Sequence, residues 1–114
     1  MGRKAEIIAA AELGRAGYRI IESNYRCNAG EIDFIAQDGD YLAFVEVRCK
    51  RTITFGSPAE SINLSKQRKL IATGQHYLDQ LNLTDTPCRF DVVEVVEVEG
   101  KLAVKEIIKG AFTL

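Results

Sequence analysis

The sequence predicts an α/β fold in which a mixed central sheet is flanked by helices. Three observations lead to this prediction: two segments with helical periodicity, several short apolar segments with the alternation of strands, and their order along the chain, αβββαββ. Helices that flank three consecutive strands favour a sheet covered by helices. With 114 residues and only two prolines, the chain predicts a single domain over residues 1–114.

Local sequence justifies each element in turn. Strong helix formers predict a helix over residues 3–16 that ends near Gly17, and a strand over residues 18–25 follows it. Ser57 is placed to cap a short helical turn that begins at Pro58. The remaining elements are one helix and two strands, predicted over residues 65–81, 89–98 and 102–108.

An acidic hairpin is the most informative feature of the chain. Two apolar strands carry acidic residues, Gly30-Glu31-Ile32-Asp33 and Phe44-Val45-Glu46-Val47-Arg48, and the segment Asp38-Gly39-Asp40 between them is a strong hairpin signal. Alternation divides the first strand between two faces, with Ile32, Phe34 and Ala36 opposite to Glu31, Asp33 and Ile35.

The position of the turn decides which carboxylates meet. If Asp38-Gly39 forms the turn, Glu31 lies opposite Glu46; if Gly39-Asp40 forms it, Asp33 lies opposite Glu46. In either register Glu31, Asp33, Glu46 and Arg48 all lie on one face of the hairpin. Cross-strand Cβ atoms lie about 4.5–5.5 Å apart, close enough for two carboxylates to share a divalent cation. Because buried carboxylates are costly unless paired, we interpret the cluster as a metal site, with an exposed charged sheet face as the alternative.

Two polar residues lie on the apolar faces of the helices. Glu6 shares a face with Ala10 and Leu13, where it is either favoured by the helix dipole or a third acidic contributor to the metal site. Gln67 lies near the centre of the apolar side of the second helix and either frays into solvent or points toward the site. Gly74, on the same side, predicts a close approach between this helix and the sheet.

Charge is distributed unevenly. The net charge is −1, yet residues 48–69 carry six basic residues and a single acidic one. A basic segment beside an acidic cluster suits a phosphodiester held over a metal ion, and the alternative is a set of ordinary solvated side chains. Lys66 and Lys69, near the start of the second helix, are placed to reach a phosphate backbone.

Localisation is predicted to be cytoplasmic, with no membrane partner. No segment resembles a signal peptide or approaches the length of a membrane span. Cys27, Cys49 and Cys88 are odd in number and lack CxxC spacing, which predicts reduced thiols.

Asp33 followed by Glu46-Val47-Arg48 resembles the signature of the PD-(D/E)xK nuclease superfamily, whose core is αβββαβ. A wider set of residues resembles the bacterial YraN-like family of small uncharacterised proteins, which is similar in turn to archaeal Holliday junction resolvases. That set comprises Glu6, Gly17-Tyr18, Asn24, the two acidic strand segments, Gly56, Lys66 and Arg89-Phe90-Asp91-Val92-Val93. The resemblance implies a restriction-endonuclease-like core with an extra C-terminal strand.

The resemblance also implies roles for individual residues. Asp33, Glu46 and the carbonyl of Val47 would bind Mg²⁺ or Mn²⁺, with Glu6 contributing directly or through water. Gln67 would orient the water or a phosphate oxygen. Arg48 stands where the superfamily has Lys, and because Arg stays protonated it can stabilise negative charge but cannot act as a base. The nucleic-acid contacts are predicted to be Lys50, Arg51, Lys66 and Lys69.

The resulting hypothesis is a metal-dependent endodeoxyribonuclease that acts on branched or distorted DNA, with DNA rather than RNA as its partner and a homodimer as one arrangement for symmetric cutting. The alternatives are a non-catalytic nucleic-acid-binding module of the same fold and a protein-interaction or adaptor protein. Asp91 is interpreted as the structural partner of Arg89, with support of a neighbouring site as the alternative.

Overall fold

The structure, a computed structural model, describes residues 3–50 and 62–112. Its elements are α1 (Arg3–Arg15), β1 (Arg19–Cys27), β2 (Gly30–Asp38), β3 (Tyr41–Lys50), α2 (Leu64–Gln80), β4 (Cys88–Val98) and β5 (Lys101–Phe112). The predicted order αβββαββ is confirmed for this part of the chain, with end points shifted by a few residues. The predicted cap at Ser57 and turn at Pro58 lie outside the described residues.

The five strands form one mixed sheet in the order β1-β2-β3-β4-β5. All neighbours are antiparallel except β3 and β4, which are parallel. A parallel pair requires a crossover connection, and α2 lies between these two strands in the chain. The described residues therefore form a mixed α/β fold of five strands and two helices.

The helices cover opposite faces of the sheet. Ala5, Ala9 and Leu13 of α1 pack on one apolar cluster, together with Val45 and Val47 of β3. The other cluster joins α2 to the alternate residues of the same strands, with Leu70, Tyr77, Ile35, Phe44 and Phe90 among its members. Each helix thus buries its apolar stripe against one face. No helix of the described segments is long and apolar enough to cross a membrane.

Gly74 brings α2 close to the sheet, as the sequence predicted. A Cβ at this position would lie 3.2 Å from a ring carbon of Phe44 and 3.3 Å from one of Phe90. Only a residue without a side chain leaves both rings in place.

The acidic hairpin turns at Gly39-Asp40, since Asp38 pairs with Tyr41. Gly39 has a φ of 61°, which suits the first position of a type II′ turn. The structure thereby selects the register that directs Asp33 toward Glu46. Regular pairing ends at Phe34 with Val45, and from there β3 continues beside β4 up to Lys50 while β2 separates from it.

The predicted face of Ile32 is wrong. This residue packs with Ile35 in the α2 cluster, not with Phe34 in the α1 cluster. The strict alternation of β2 is lost at Asp33, where the strand separates from β3 and lies beside Asn24 of β1, whose φ is 54°. A left-handed residue in one strand and the loss of pairing on the other side change the direction of the side chains locally.

Asp91 is a structural residue, which confirms its predicted pairing with Arg89. Its side chain is fully buried and accepts hydrogen bonds from Arg89 Nε at 2.9 Å, Tyr18 Oη at 2.6 Å and the Gly110 N–H at 2.9 Å. Arg89 also contacts Asp38. These bonds connect β4 to β5, to the residue before β1 and to the end of β2.

Candidate functional site

An open cleft of about 450 Å³ lies where β2 and β3 separate. α1, β2, β3 and α2 all contribute side chains to it. The described residues that line it are Glu6, Gly30, Glu31, Asp33, Glu46, Val47, Lys66, Lys69 and Leu70. Two of the predicted metal-site carboxylates, Asp33 and Glu46, thus share a cleft with Glu6.

Asp33 of β2 is held in place by a hydrogen bond from β3. Its Oδ2 accepts a hydrogen bond from the N–H of Val47 at 2.8 Å. The Asp33 side chain thus satisfies a backbone N–H of β3 that would otherwise need a partner on a paired strand. The carboxylate is therefore fixed next to Glu46, the residue that precedes Val47 on β3.

Two neighbouring carboxylates with little solvent cannot both ionise easily. Burial, then a hydrogen bond with Glu46 and the charge of Glu46, raise the pKa of Asp33 to about 8, although the Val47 N–H opposes the shift. The charge of Glu6 also raises the pKa of Asp33. At neutral pH and without a cation, Asp33 is thus mainly protonated.

Lys66 adds a contact that the sequence did not predict. Its Nζ lies 2.7 Å from Glu46 Oε2, and the two side chains are 48% and 8% exposed. The backbone N–H of Lys66 donates to the Asn63 side chain at 2.9 Å, which caps the start of α2. The spacing in sequence gives no sign of this contact, because Lys66 and Glu46 lie 20 residues apart on different elements, α2 and β3.

The other two carboxylates at the cleft have different positions. Glu6 is half-buried at the edge of the cleft, in the first turn of α1. Glu31 forms an ion pair with Arg26 at 2.5 Å across β1 and β2. Within residues 3–50 and 62–112, no three Asp, Glu, His or Cys side chains come together as a metal-ligand group. Among the described residues, the carboxylates that meet directly at this cleft are the pair Asp33 and Glu46.

Arg48 and Gln67 are not part of the cleft lining. Arg48 is half-buried on β3 beside Glu94 of β4, its partner in the parallel register. Glu94 is 1% exposed, and its Oε2 has no hydrogen-bond partner among the described residues. The Gln67 side-chain amide donates to the carbonyl of Ile62 at 2.8 Å, so it supports the segment before α2.

The predicted nucleic-acid contacts divide into three groups. Lys66 and Lys69 line the cleft. Lys50 is half-buried at the end of β3. Arg51 lies outside the described residues.

Gly30 has a steric role that the sequence did not signal. A Cβ there would lie 3.1 Å from Thr73 Oγ1 and 3.8 Å from Lys69 Cβ. Thr73 is fully buried and donates to the Lys69 carbonyl at 2.7 Å, so it has little freedom to move. Gly30 therefore lets the start of β2 lie directly against α2 at the cleft.

The cleft chemistry suits a hard divalent cation. Carboxylate and carbonyl oxygens are the donors that Mg²⁺ and Mn²⁺ prefer, and these ions are often held by one or two carboxylates with water filling the remaining positions. The raised pKa of Asp33 marks two carboxylates that lie too close together, with too little solvent, for both to ionise easily. Asp33 and Glu46, with the carbonyl of Val47 nearby in the chain, fit such an ion.

Comparison with known proteins gives a consistent result. The family model described as "Uncharacterised protein family UPF0102" matches residues 5–95. A UPF0102 protein of Moorella thermoacetica is 45% identical over 112 residues, which cover 97% of this chain and 93% of the relative. A UPF0102 protein of Saccharophagus degradans is 44% identical over 114 residues, with 99% and 92% covered. One from Pseudomonas syringae is 41% identical, with 97% and 91% covered.

Proposed function

The chain belongs to the UPF0102 family, and from the acidic cleft we propose that it is a metal-dependent nuclease that hydrolyses phosphodiesters of DNA. The observation that carries the proposal is the pairing of Asp33 with Glu46 at the point where β2 and β3 separate, with a raised pKa for Asp33. Such a pair has no packing role that an apolar residue would not fulfil at lower cost.

The topology supports the proposal. We infer that α1, β1, β2, β3, α2 and β4 form a restriction-endonuclease-like core, to which β5 adds an antiparallel edge strand. The order αβββαβ, the antiparallel β1-β2-β3 unit and the parallel β3-β4 pair agree with that core. The resemblance to the nuclease signature points to Asp33, Glu46 and Val47, which the cleft also brings together, whereas Arg48 of the signature does not line it.

Each residue has a separate task in this proposal. Asp33 and Glu46 would hold the cation, and Glu6 would act through a bound water. When bound, the cation lowers the pKa of a water and offsets negative charge on the phosphoryl oxygens. Lys69 binds a phosphate at the mouth of the cleft. In hydrolysis the water gives up a proton as its oxygen bonds to phosphorus, one P–O bond to the sugar breaks, and the departing sugar oxygen takes up a proton, so that one water is consumed overall.

The test is cleavage of a four-way junction, a flap and a linear duplex DNA in Mg²⁺ or Mn²⁺ and in EDTA. We expect cleavage only with the cation, and faster cleavage of the branched substrates because of the resemblance to resolvases. Glu46→Ala is expected to slow cleavage by about a hundredfold or more, since it removes a group that would hold the cation, and the cation offsets negative charge in the transition state. Glu106→Ala, an exposed position on β5, is the matched control and should cleave normally.

Two results would contradict the proposal in different ways. Equal cleavage by wild type and Glu46→Ala would show that the nuclease site lies elsewhere. Salt-sensitive DNA binding without cleavage of any substrate would replace the nuclease with a nucleic-acid-binding module of the same fold.

A further inference from the structure

The cleft contains a basic side chain, that of Lys66, at a place where the sequence signature has none. In the signature, the basic residue follows the Glu by two positions on the same strand, which corresponds to Arg48. Arg48 lies beside Glu94 and is not among the described residues that line the cleft. Lys66 of α2 lines it and contacts Glu46 directly. The basic group next to the carboxylates therefore comes from the helix.

The contact involves one oxygen of the carboxylate that is proposed to hold the metal ion. Glu46 is 8% exposed and Asp33 is half-buried, so few other groups can approach the Glu46 carboxylate. With Lys66 Nζ at 2.7 Å from Oε2, a cation at this carboxylate and the lysine compete for the same negative charge.

Lys66 is suited to leaving this contact and remaining at the cleft. Its backbone is fixed by the Asn63 cap at the start of α2, whereas its side chain is 48% exposed. Lysine carries a compact charge on a flexible stem, so Nζ can move by several ångströms while the helix stays in place. Lys69, one turn further along α2, also lines the cleft but makes no ion pair with a described residue.

We propose that Lys66 is the active-site cation of this chain, bound to Glu46 before a divalent ion occupies the cleft and bound to the scissile phosphate afterwards. This inference rests on the proposed nuclease function. It assigns to a residue of α2 the charge that the signature places on β3. It also makes Lys66 a competitor of the metal ion, a property that an ordinary phosphate-binding lysine lacks.

The test measures Mn²⁺ affinity in the absence of DNA, by the paramagnetic resonance signal of free Mn²⁺. Lys66→Met removes the competitor and is expected to bind Mn²⁺ about fivefold more tightly than wild type, the order of a partly exposed ion pair. Lys66→Arg keeps the ion pair and should stay within about twofold of wild type. Lys69→Met removes the same charge from the same cleft without an ion pair to Glu46, so its effect should be clearly smaller than that of Lys66→Met.

Cleavage gives the second readout. Lys66→Met is expected to cleave DNA about a hundredfold more slowly in saturating Mn²⁺, because the phosphate loses its cationic partner, and Lys66→Arg should recover part of the rate. Tighter metal binding together with slower cleavage is the combination that supports the inference.

The inference and the proposed function fail in distinguishable ways. If wild type binds Mn²⁺ and cleaves DNA, but Lys66→Met binds Mn²⁺ no more tightly than wild type or no more tightly than Lys69→Met, competition at Glu46 is wrong. If Lys66→Met cleaves at the wild-type rate in saturating Mn²⁺, its role at the phosphate is wrong. If wild type neither binds Mn²⁺ nor cleaves, the nuclease proposal is overturned and this inference with it.

Discussion

At the scale of single residues, Asp33 couples the cleft to the proton concentration. An Asp in an unfolded chain ionises near pH 4, whereas burial and Glu46 raise the pKa of Asp33 to about 8 in the folded protein. Between about pH 4 and pH 8, and without a metal ion, Asp33 is therefore mainly protonated in the folded state and ionised in the unfolded state. Such a group makes folding less favourable as the pH rises.

The free energy of unfolding, measured in urea with EDTA, is expected to fall as the pH rises from about 5 to about 8. The folded pKa lies above the unfolded one, so the slope is negative between the two values and disappears above the folded pKa. Asp33→Asn keeps an oxygen to accept the Val47 N–H but cannot ionise. The variant should therefore lose about 4 kcal/mol of this fall, the effect of one proton over about three pH units.

Asp38→Asn is the control for that measurement. Arg89, then Lys109, lower the pKa of Asp38, so its contribution is complete above the unfolded pKa and is lost only in more acidic solution. It should leave the slope between about pH 5 and pH 8 unchanged. An Asp33→Asn slope equal to that of wild type would mean that the pKa of Asp33 is not raised.

At the scale of elements, α2 has two connected roles. Its apolar side packs on Phe44 and Phe90, and its first turns present Lys66 and Lys69 to the cleft. Gly74 sets the distance of the helix from the sheet, because a Cβ there would be 3.2 Å from Phe44. The position of the lysines over the carboxylates thus depends on a contact about two turns away along the helix.

Gly74→Val is expected to lower the free energy of unfolding by about 2 kcal/mol, since a branched side chain overpacks the contact with the two rings. The matched control is Gly14→Ala on α1, where a Cβ would meet nothing within 4 Å. That change should stabilise the protein by up to about 1 kcal/mol through helix propensity. Urea unfolding of both variants measures the difference, and equal effects would show that α2 does not approach the sheet this closely.

At the scale of the whole molecule, the net charge of −1 conceals a local arrangement that suits a polyanion. The acidic side chains of the cleft lie beside Lys66 and Lys69. Lys105, in contrast, is exposed on β5, an edge strand of the sheet. Phosphate contacts depend on the few lysines that face the substrate rather than on total charge. The salt dependence of DNA affinity counts these contacts.

Lys69→Met is expected to weaken binding of duplex DNA and to reduce the slope of log affinity against log salt by about 0.9, the value for one lost phosphate contact. Lys105→Met should leave the slope unchanged because this side chain is not among those that line the cleft. Titrations at several salt concentrations, in EDTA to prevent cleavage, measure both slopes. Equal slopes for Lys69→Met and wild type would place the DNA away from this cleft.

The sequence by itself determined the order of elements, the close approach at Gly74 and the pairing of Asp91 with Arg89. Each of these follows from periodicity or from residues near one another in the chain, where local rules apply. The meeting of Asp33 with Glu46 was only partly determined, since two turns of the hairpin were possible.

Tertiary structure decided the rest. The Gly39-Asp40 turn chose the register, and the separation of β2 from β3 moved Ile32 to the other face and gave Asp33 the Val47 N–H. The contact of Lys66 with Glu46 depends on where α2 begins over the sheet. Sequence patterns carry the period of an element but not the point at which it separates from or crosses its neighbour, and at this cleft that point fixes which charges meet.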